Sequence, residues 1–189
     1  MKLWLLRHAR VELAPGLCYG ASDVAADEAE TRVAAQAAAA SLPAGLAVRV
    51  SGLGRAGQMA EALGALRPDL GPAQRDPRHN EMDFGTFELQ SWDAIPRDAI
   101  DLWVADFASH RFGGVECTQD VIDRVGLALQ EQWAHCGPAG EVLWITHAGV
   151  IRAATYIAQH GLHRQVEVDL WPTAAPPPGG LTCIELHLG

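Results

Sequence analysis

Two short apolar runs, residues 2–6 and 142–146, are almost free of polar side chains. A strand that is buried on both faces of a parallel sheet has this character. Residues 46–50 form a third short apolar segment and predict another strand. Apolar and polar residues alternate in 166–170 and 181–188, which predicts two further strands near the end of the chain.

The segments between these strands have helical patterns. Residues 27–42 are rich in alanine with acidic residues first, and residues 55–66 place Met59, Leu63 and Leu66 at three-to-four spacing. Loops are predicted at residues 11–23 and 176–180, and a polar connection at 70–80. Three more helices are expected at residues 91–110, 118–135 and 150–159.

Strands that alternate with helices predict an α/β fold, a three-layer α/β/α arrangement around a largely parallel central sheet. No internal repeat interrupts the pattern, and 189 residues are enough to bury a full core. We therefore expect a single domain over residues 1–189.

Composition narrows the classes of partner. The formal net charge is −9, which disfavours a duplex nucleic acid or an anionic membrane surface. The four cysteines are widely spaced without a CxxC pair, so we expect neither a disulfide framework nor a zinc site. The opening apolar run is too short for a signal peptide, and no run is long enough to span a bilayer. These features predict a cytoplasmic protein. The chemistry inferred below uses fixed cations and hydrogen-bond donors, so we expect it to need no metal or other cofactor.

The two most apolar strands share one design: each ends at a histidine that a small residue follows. The first reaches Arg7-His8-Ala9, and the second reaches His147-Ala148-Gly149. Neighbouring strands would bring both imidazoles to one sheet edge, where α/β proteins bind ligands. An arginine offers a planar fork of donors for phosphate, and a neutral imidazole nitrogen can attack phosphorus. The alternative is that each histidine merely happens to follow a strand.

Two other segments carry matching chemistry. Arg55 falls in the first turn of a predicted helix, where its guanidinium and the backbone amides can face the same anion. Glu81, in the sequence Glu-Met-Asp-Phe-Gly, is a candidate general acid, although without this motif a solvated loop carboxylate would be the favoured interpretation. Together with the histidines, these residues predict phosphoryl transfer.

The order and spacing of these motifs resemble those of the histidine phosphatase superfamily, the phosphoglycerate mutase-like family. Besides Leu6-Arg7-His8, the matching segments are residues 51–63, 81–88 and 142–153. The resemblance implies that His8 becomes phosphohistidine, that Arg7, Arg55 and His147 hold the phosphoryl oxygens, and that Glu81 protonates the leaving alcohol. Ala9 and Ala14 stand where the family commonly has glycine and asparagine, and these two differences leave open whether turnover is reduced.

Within the superfamily, residues 17–23 and 113–116 are similar to the α-ribazole phosphatase branch of cobalamin biosynthesis. This similarity implies that Tyr19, Gly20, Ser22 and Ala148 contact the substrate. The expected partner is a small phosphorylated metabolite, with α-ribazole 5′-phosphate as the leading candidate.

Three hypotheses follow for the function. The first is a metal-independent phosphatase, and the second is a phosphoglycerate mutase-type phosphotransferase. The third is a phosphate-binding module of weak or no activity. The sequence leaves the oligomeric state open, a homodimer included.

Overall fold

The computed structural model describes residues 1–188, which form an α/β structure around a five-stranded sheet. The spatial order of the strands is β3-β2-β4-β1-β5. Four strands are parallel, and β5 runs antiparallel to β1 at one edge. The strands are β1 (Lys2–Arg7), β2 (Ala47–Val50), β3 (Gln74–Arg75), β4 (Glu141–Thr146) and β5 (Leu181–Glu185).

Helices cover both faces of this sheet. The first helix, α1 (Glu28–Ser41), is preceded by Asp27, whose side chain accepts a hydrogen bond from the Glu30 amide and so caps the first turn. Helices α1 and α2 pack on one face, and α4 and α5 pack together on the other. The helices are α1 (Glu28–Ser41), α2 (Gly54–Leu66), α3 (Arg97–Ala105), α4 (Thr118–Cys136) and α5 (Ala148–His160). The predicted three-layer α/β fold is confirmed.

Alternation along the two central strands builds a core on each face. In β1, Leu5 packs toward α4 and α5, whereas Leu6 packs toward α1 and α2. In β4, Trp144 and Ile145 divide in the same way, and both are fully buried. Apolar side chains on both faces explain why these strands appear in the sequence as continuous apolar runs.

The register of β1 on β4 decides where the histidines lie. Arg7 is opposite Thr146, and the His8 amide donates to the Thr146 carbonyl at 3.1 Å. The next residues, His8 and His147, therefore leave adjacent parallel strands at the same edge of the sheet. The two histidines are therefore neighbours, as the sequence predicts.

Two predicted elements were wrong. Residues 91–110 are not one helix, because Pro96 holds Ile95 in an extended conformation and α3 begins only at Arg97. Residues 166–170 do not form a strand: they contain a 3₁₀ turn at Val168–Leu170, and β5 takes the place beside β1.

Two smaller differences concern the end of the last strand and a short strand that was not predicted. The last strand stops at Glu185 rather than continuing to residue 188, and the connection at residues 70–80 contains the short strand β3. Over residues 1–188, every helix is too short or too polar to cross a bilayer.

Candidate active site at the ends of β1 and β4

The His8 side chain is 2% exposed, and its ring centroid lies 5.0 Å from that of His147. Its Nδ1 is 2.6 Å from the Ala9 carbonyl oxygen. Since a carbonyl can only accept, Nδ1 must carry the proton. The ring is then the tautomer whose Nε2 has a free lone pair.

Both imidazoles are held in the neutral form. Burial, together with the charges of Arg55 and Arg7, outweighs the hydrogen bond to Ala9 and lowers the pKa of His8 to about 3. The pKa of His147 is lowered well below its usual value, first by burial and then by Arg55. A neutral imidazole is the form that can act as a nucleophile.

A chain of hydrogen bonds fixes the tautomer of His147. Arg55 Nε donates to His147 Nδ1 at 3.2 Å, so that nitrogen is unprotonated. His147 Nε2 then donates to Ser51 Oγ at 2.7 Å, and Ser51 Oγ donates to Asn80 Oδ1 at 2.9 Å. Both nitrogens of His147 thus contact protein groups. A hydrogen bond from His147 Nε2 to a phosphoryl oxygen would therefore have to replace its hydrogen bond to Ser51 Oγ.

The guanidinium of Arg55 is fully buried at the start of α2. Its Nη1 donates to the Ser22 carbonyl at 2.7 Å and its Nη2 to the Gly20 carbonyl at 2.6 Å. The Tyr19 ring lies over it, with 5.4 Å from ring centroid to Cζ. Carbonyls orient the group without neutralising its charge, and within residues 1–188 no carboxylate forms an ion pair with it.

Arg7 is held by the proline-rich loop of residues 176–180. Its Nη1 donates to the Pro176 carbonyl at 3.0 Å, and the Gly179 amide donates to the His8 carbonyl at 2.9 Å. The buried Nε of Arg7 has no hydrogen-bond partner in the described part of the chain. A buried N–H without a partner is unfavourable, and a bound anion would satisfy it.

Glu81 sits against the N-terminus of α5. Its Oε2 accepts the Gly149 amide at 2.9 Å, and its Oε1 accepts the Met82 amide at 3.1 Å. A Cβ at position 149 would collide with Oε1, so only glycine leaves room for the carboxylate. Burial lowers the pKa of Arg55, and the negative charge of a Glu81 carboxylate opposes this shift by favouring the charged form of the arginine.

The residues expected to touch substrate lie around Arg55. Gly20 and Ser22 orient it through their carbonyls, and Tyr19 covers it. Ala148 is the first residue of α5, directly after His147. In this structure the carbonyl groups of Gly20 and Ser22 thus orient the arginine.

Sequence reasoning missed Glu88, which organises this loop. Its carboxylate accepts hydrogen bonds from the amides of Gly20 (3.0 Å), Ala21 (3.0 Å), Ser22 (3.2 Å) and Phe84 (3.0 Å), and from Ser22 Oγ (2.6 Å). Burial opposes its charge, but the hydrogen bonds outweigh burial and lower its pKa. Its position at the end of the motif of residues 81–88 is the one sequence feature that could have pointed to this role.

The site therefore gathers two cationic side chains, two neutral imidazoles and one carboxylate at the ends of β1 and β4. Arg7 and Arg55 supply positive charge, and His8 supplies an unprotonated nitrogen. Fixed donors and charges of this kind stabilise a phosphoryl group during transfer. The fold and the site together define a class of phosphoryl-transfer proteins.

Comparison with sequence families agrees with this class. The model of the histidine phosphatase superfamily (branch 1) matches residues 3–186, so the chain belongs to that superfamily. A search of curated proteins found no match.

Solved structures show the same fold. TTHB049 from Thermus thermophilus is 25% identical, with 97% of this chain and 93% of that chain covered and a TM-score of 0.71. A phosphoglycerate mutase from Thermus thermophilus is also 25% identical, with coverage of 97% and 92% and a TM-score of 0.69. A mycobacterial glucosyl-3-phosphoglycerate phosphatase is 22% identical, with coverage of 96% and 88% and a TM-score of 0.78.

Proposed function

We propose that this protein is a phosphatase that hydrolyses a small phosphomonoester through a phosphohistidine on His8. The observation that carries the proposal is the tautomer of His8. Its Nδ1–H is bound to the Ala9 carbonyl, which leaves the Nε2 lone pair free at neutral pH, beside Arg55.

The first step transfers the phosphoryl group. Nε2 of His8 forms a bond to phosphorus while the bond from phosphorus to the leaving oxygen breaks, and Glu81, which enters this step in its protonated form, gives its proton to that oxygen. Arg7 and Arg55 stabilise the charge that spreads over the equatorial oxygens in the transition state. His147 keeps Arg55 in place through the 3.2 Å hydrogen bond to its Nε.

The second step releases phosphate. A water molecule attacks phosphorus and gives a proton to the Glu81 carboxylate, the bond from phosphorus to Nε2 breaks, and His8 returns to its neutral form. The residues of the chain thus supply nucleophile, acid, base and charge stabilisation. As in the sequence-based hypothesis, we infer no role for a metal.

We propose α-ribazole 5′-phosphate as the leading candidate substrate. The support is the sequence of residues 17–23 and 113–116, which the resemblance singled out. The structure places Tyr19 of the first segment against Arg55. Glu116 of the second binds the Asp83 amide at 3.0 Å, two residues from Glu81.

The similarity to a structure named phosphoglycerate mutase favours one competing activity, a phosphotransferase that would return the group to another hydroxyl. Incubation with 3-phosphoglycerate separates the two, because a phosphatase gives free phosphate and a mutase gives an isomer. The isomer as main product would overturn the hydrolase proposal.

Trapping the intermediate tests the shared chemistry. We expect rapid quenching with a ³²P-labelled phosphomonoester to give an acid-labile, base-stable label on His8, and His8→Ala to lose both label and turnover. Absence of label together with absence of hydrolysis of p-nitrophenyl phosphate would leave only a phosphate-binding module.

A further inference from the structure

An apolar cavity of about 210 Å³ opens beside Glu81. Its walls come from distant parts of the chain: the Glu81 loop, α3, the start of α4, α5 and the loop that follows α5. Aromatic rings dominate these walls, namely Phe84, Trp103, Phe107 and Trp171. The mechanism described above gives this cavity no task.

The rings support one another and give the cavity a fixed shape. Phe107 and Trp171 meet edge to face with centroids 5.6 Å apart, and Trp103 and Phe107 stack at 5.7 Å. Trp103 Nε1 donates to Thr118 Oγ1 at 3.2 Å, which fixes its plane. Walls of this kind favour a flat apolar ligand, since aromatic pairs prefer stacked or edge-to-face contacts.

Most of the residues that line the cavity are apolar. Glu81 and Arg152 are the only two charged residues that line it within residues 1–188. The ligand portion that suits this cavity is therefore uncharged. Its volume also sets a size, because an apolar cavity of about 150 Å³ holds one benzene ring.

A second cavity, of about 420 Å³, is also lined by Glu81 and has a different character. Besides Glu81, the acidic residues Asp83, Glu116 and Asp120 line it, and Arg124 is the only cation of its wall among residues 1–188. That arginine is already paired with Glu116 at 2.8 Å. An anionic leaving group would meet repulsion there, so neither cavity suits a phosphorylated hydroxy acid.

We propose that the aromatic cavity binds a flat, uncharged ring in the leaving group, so that the protein selects aromatic alcohol phosphates over those of small polyols and hydroxy acids. The proposal rests on the proposed function, because Glu81 must protonate the leaving oxygen. The carbon chain bound to that oxygen then starts beside Glu81, at the mouth of the cavity. Trp171 and Trp103 are the specificity-determining residues.

The first test compares kcat/KM for 2-phenylethyl phosphate and glycerol 3-phosphate, whose leaving groups are both alkyl alcohols. Burial of one phenyl ring predicts a preference of about tenfold to a hundredfold for the aromatic ester. A ratio near one in the wild-type protein would overturn the inference while leaving the phosphatase intact.

Variants locate the preference. Trp171→Ala should bring the ratio close to one chiefly by raising KM for the aromatic ester. Trp133→Ala makes the same change near the far end of α4, outside the cavity, and should leave the ratio unchanged. An unchanged ratio in a folded Trp171→Ala protein would contradict the proposal. If that variant fails to fold, Phe107→Leu is the milder replacement.

A binding measurement makes the inference independent of turnover. By calorimetry, non-hydrolysable 3-phenylpropyl phosphonate should bind wild-type protein at least tenfold more tightly than 3-hydroxypropyl phosphonate. If neither 2-phenylethyl phosphate nor glycerol 3-phosphate is hydrolysed but this difference in affinity appears, the proposed function fails and the cavity assignment stands. Equal affinities would overturn the cavity assignment.

Discussion

The carboxylate of Glu88 is predicted to hold Arg55 in place from a distance, and Glu88→Gln tests this with the smallest change in shape. Oε2 accepts from Gly20, from the Ser22 amide and from Ser22 Oγ, while Oε1 accepts from the amides of Ala21 and Phe84. A glutamine keeps only one accepting oxygen. Its NH₂ group must therefore face at least two backbone N–H donors.

The structure allows the cost to be worked out. A buried donor left without an acceptor costs about 1–3 kcal/mol. Two such donors give roughly 2–6 kcal/mol, and since this site is only partly buried we expect roughly 2–4 kcal/mol. For a chain of this size, the melting temperature falls by about 2–4 °C per kcal/mol, so the expected fall is roughly 4–16 °C.

Activity should fall as well, because the same loop carries the carbonyls that orient Arg55. A small displacement of a charge-stabilising group lowers kcat by about tenfold or more. Circular dichroism melts and kcat for p-nitrophenyl phosphate give the two readouts. Glu61→Gln, on the exposed side of α2, removes the same charge and should change neither.

Acidification gives a signature that a general packing defect would lack. The pKa of Glu88 in the folded protein lies below its ordinary value of 4.5. Its contribution to stability is therefore complete above pH 4.5 and is lost as the pH falls through the folded pKa. The difference in melting temperature between wild type and Glu88→Gln should shrink below pH 4.5. A wild-type melting temperature and kcat in the variant would refute the reasoning.

Two further predictions follow from the site. Because burial and Arg55 lower the pKa of His8 to about 3, its ring resonances in NMR spectra should not titrate between pH 5 and 8, and a midpoint near 6.5 would contradict a buried neutral nucleophile. Gly149→Ala should push the Glu81 carboxylate out of place. Because the alcohol of 2-phenylethyl phosphate is a poorer leaving group than p-nitrophenol, kcat should fall more for this ester than for p-nitrophenyl phosphate. Equal losses for the two esters would argue against an acid role for Glu81.

Local patterns in the sequence predicted the part of the site that lies on β1, β4 and α2. Apolar runs define the two strands, and parallel strands bring their carboxyl ends to one edge, so His8 and His147 had to meet once β1 and β4 were neighbours. Arg55 follows β2 at the start of a helix with a clear period. These positions depend on contacts within a few residues and on one strand pairing.

Other contacts join loops that no periodic pattern connects. Glu88 binds residues 66 to 68 positions earlier in the chain, and Ser51 meets a histidine 96 positions later. The aromatic cavity needs α3, α5 and the loop after α5 at once, and the apolar pattern of residues 91–110 predicts too long a helix because Pro96 interrupts it. Residues 166–170 alternate like a strand, but β5 occupies the sheet edge beside β1.

The hydrogen-bond and ion-pair partners of the arginine side chains indicate where the anion binds. Arg67, Arg78 and Arg124 each contact a carboxylate, at 2.7, 2.6 and 2.8 Å, so their charges are matched within the protein. Arg55 is more buried than any of these, and yet its partners are carbonyls and a neutral imidazole. Removing an unmatched charge from water is costly. In a chain whose net charge is −9, acidic side chains are abundant, yet within residues 1–188 none forms an ion pair with Arg55, and a phosphoryl group can supply that direct contact.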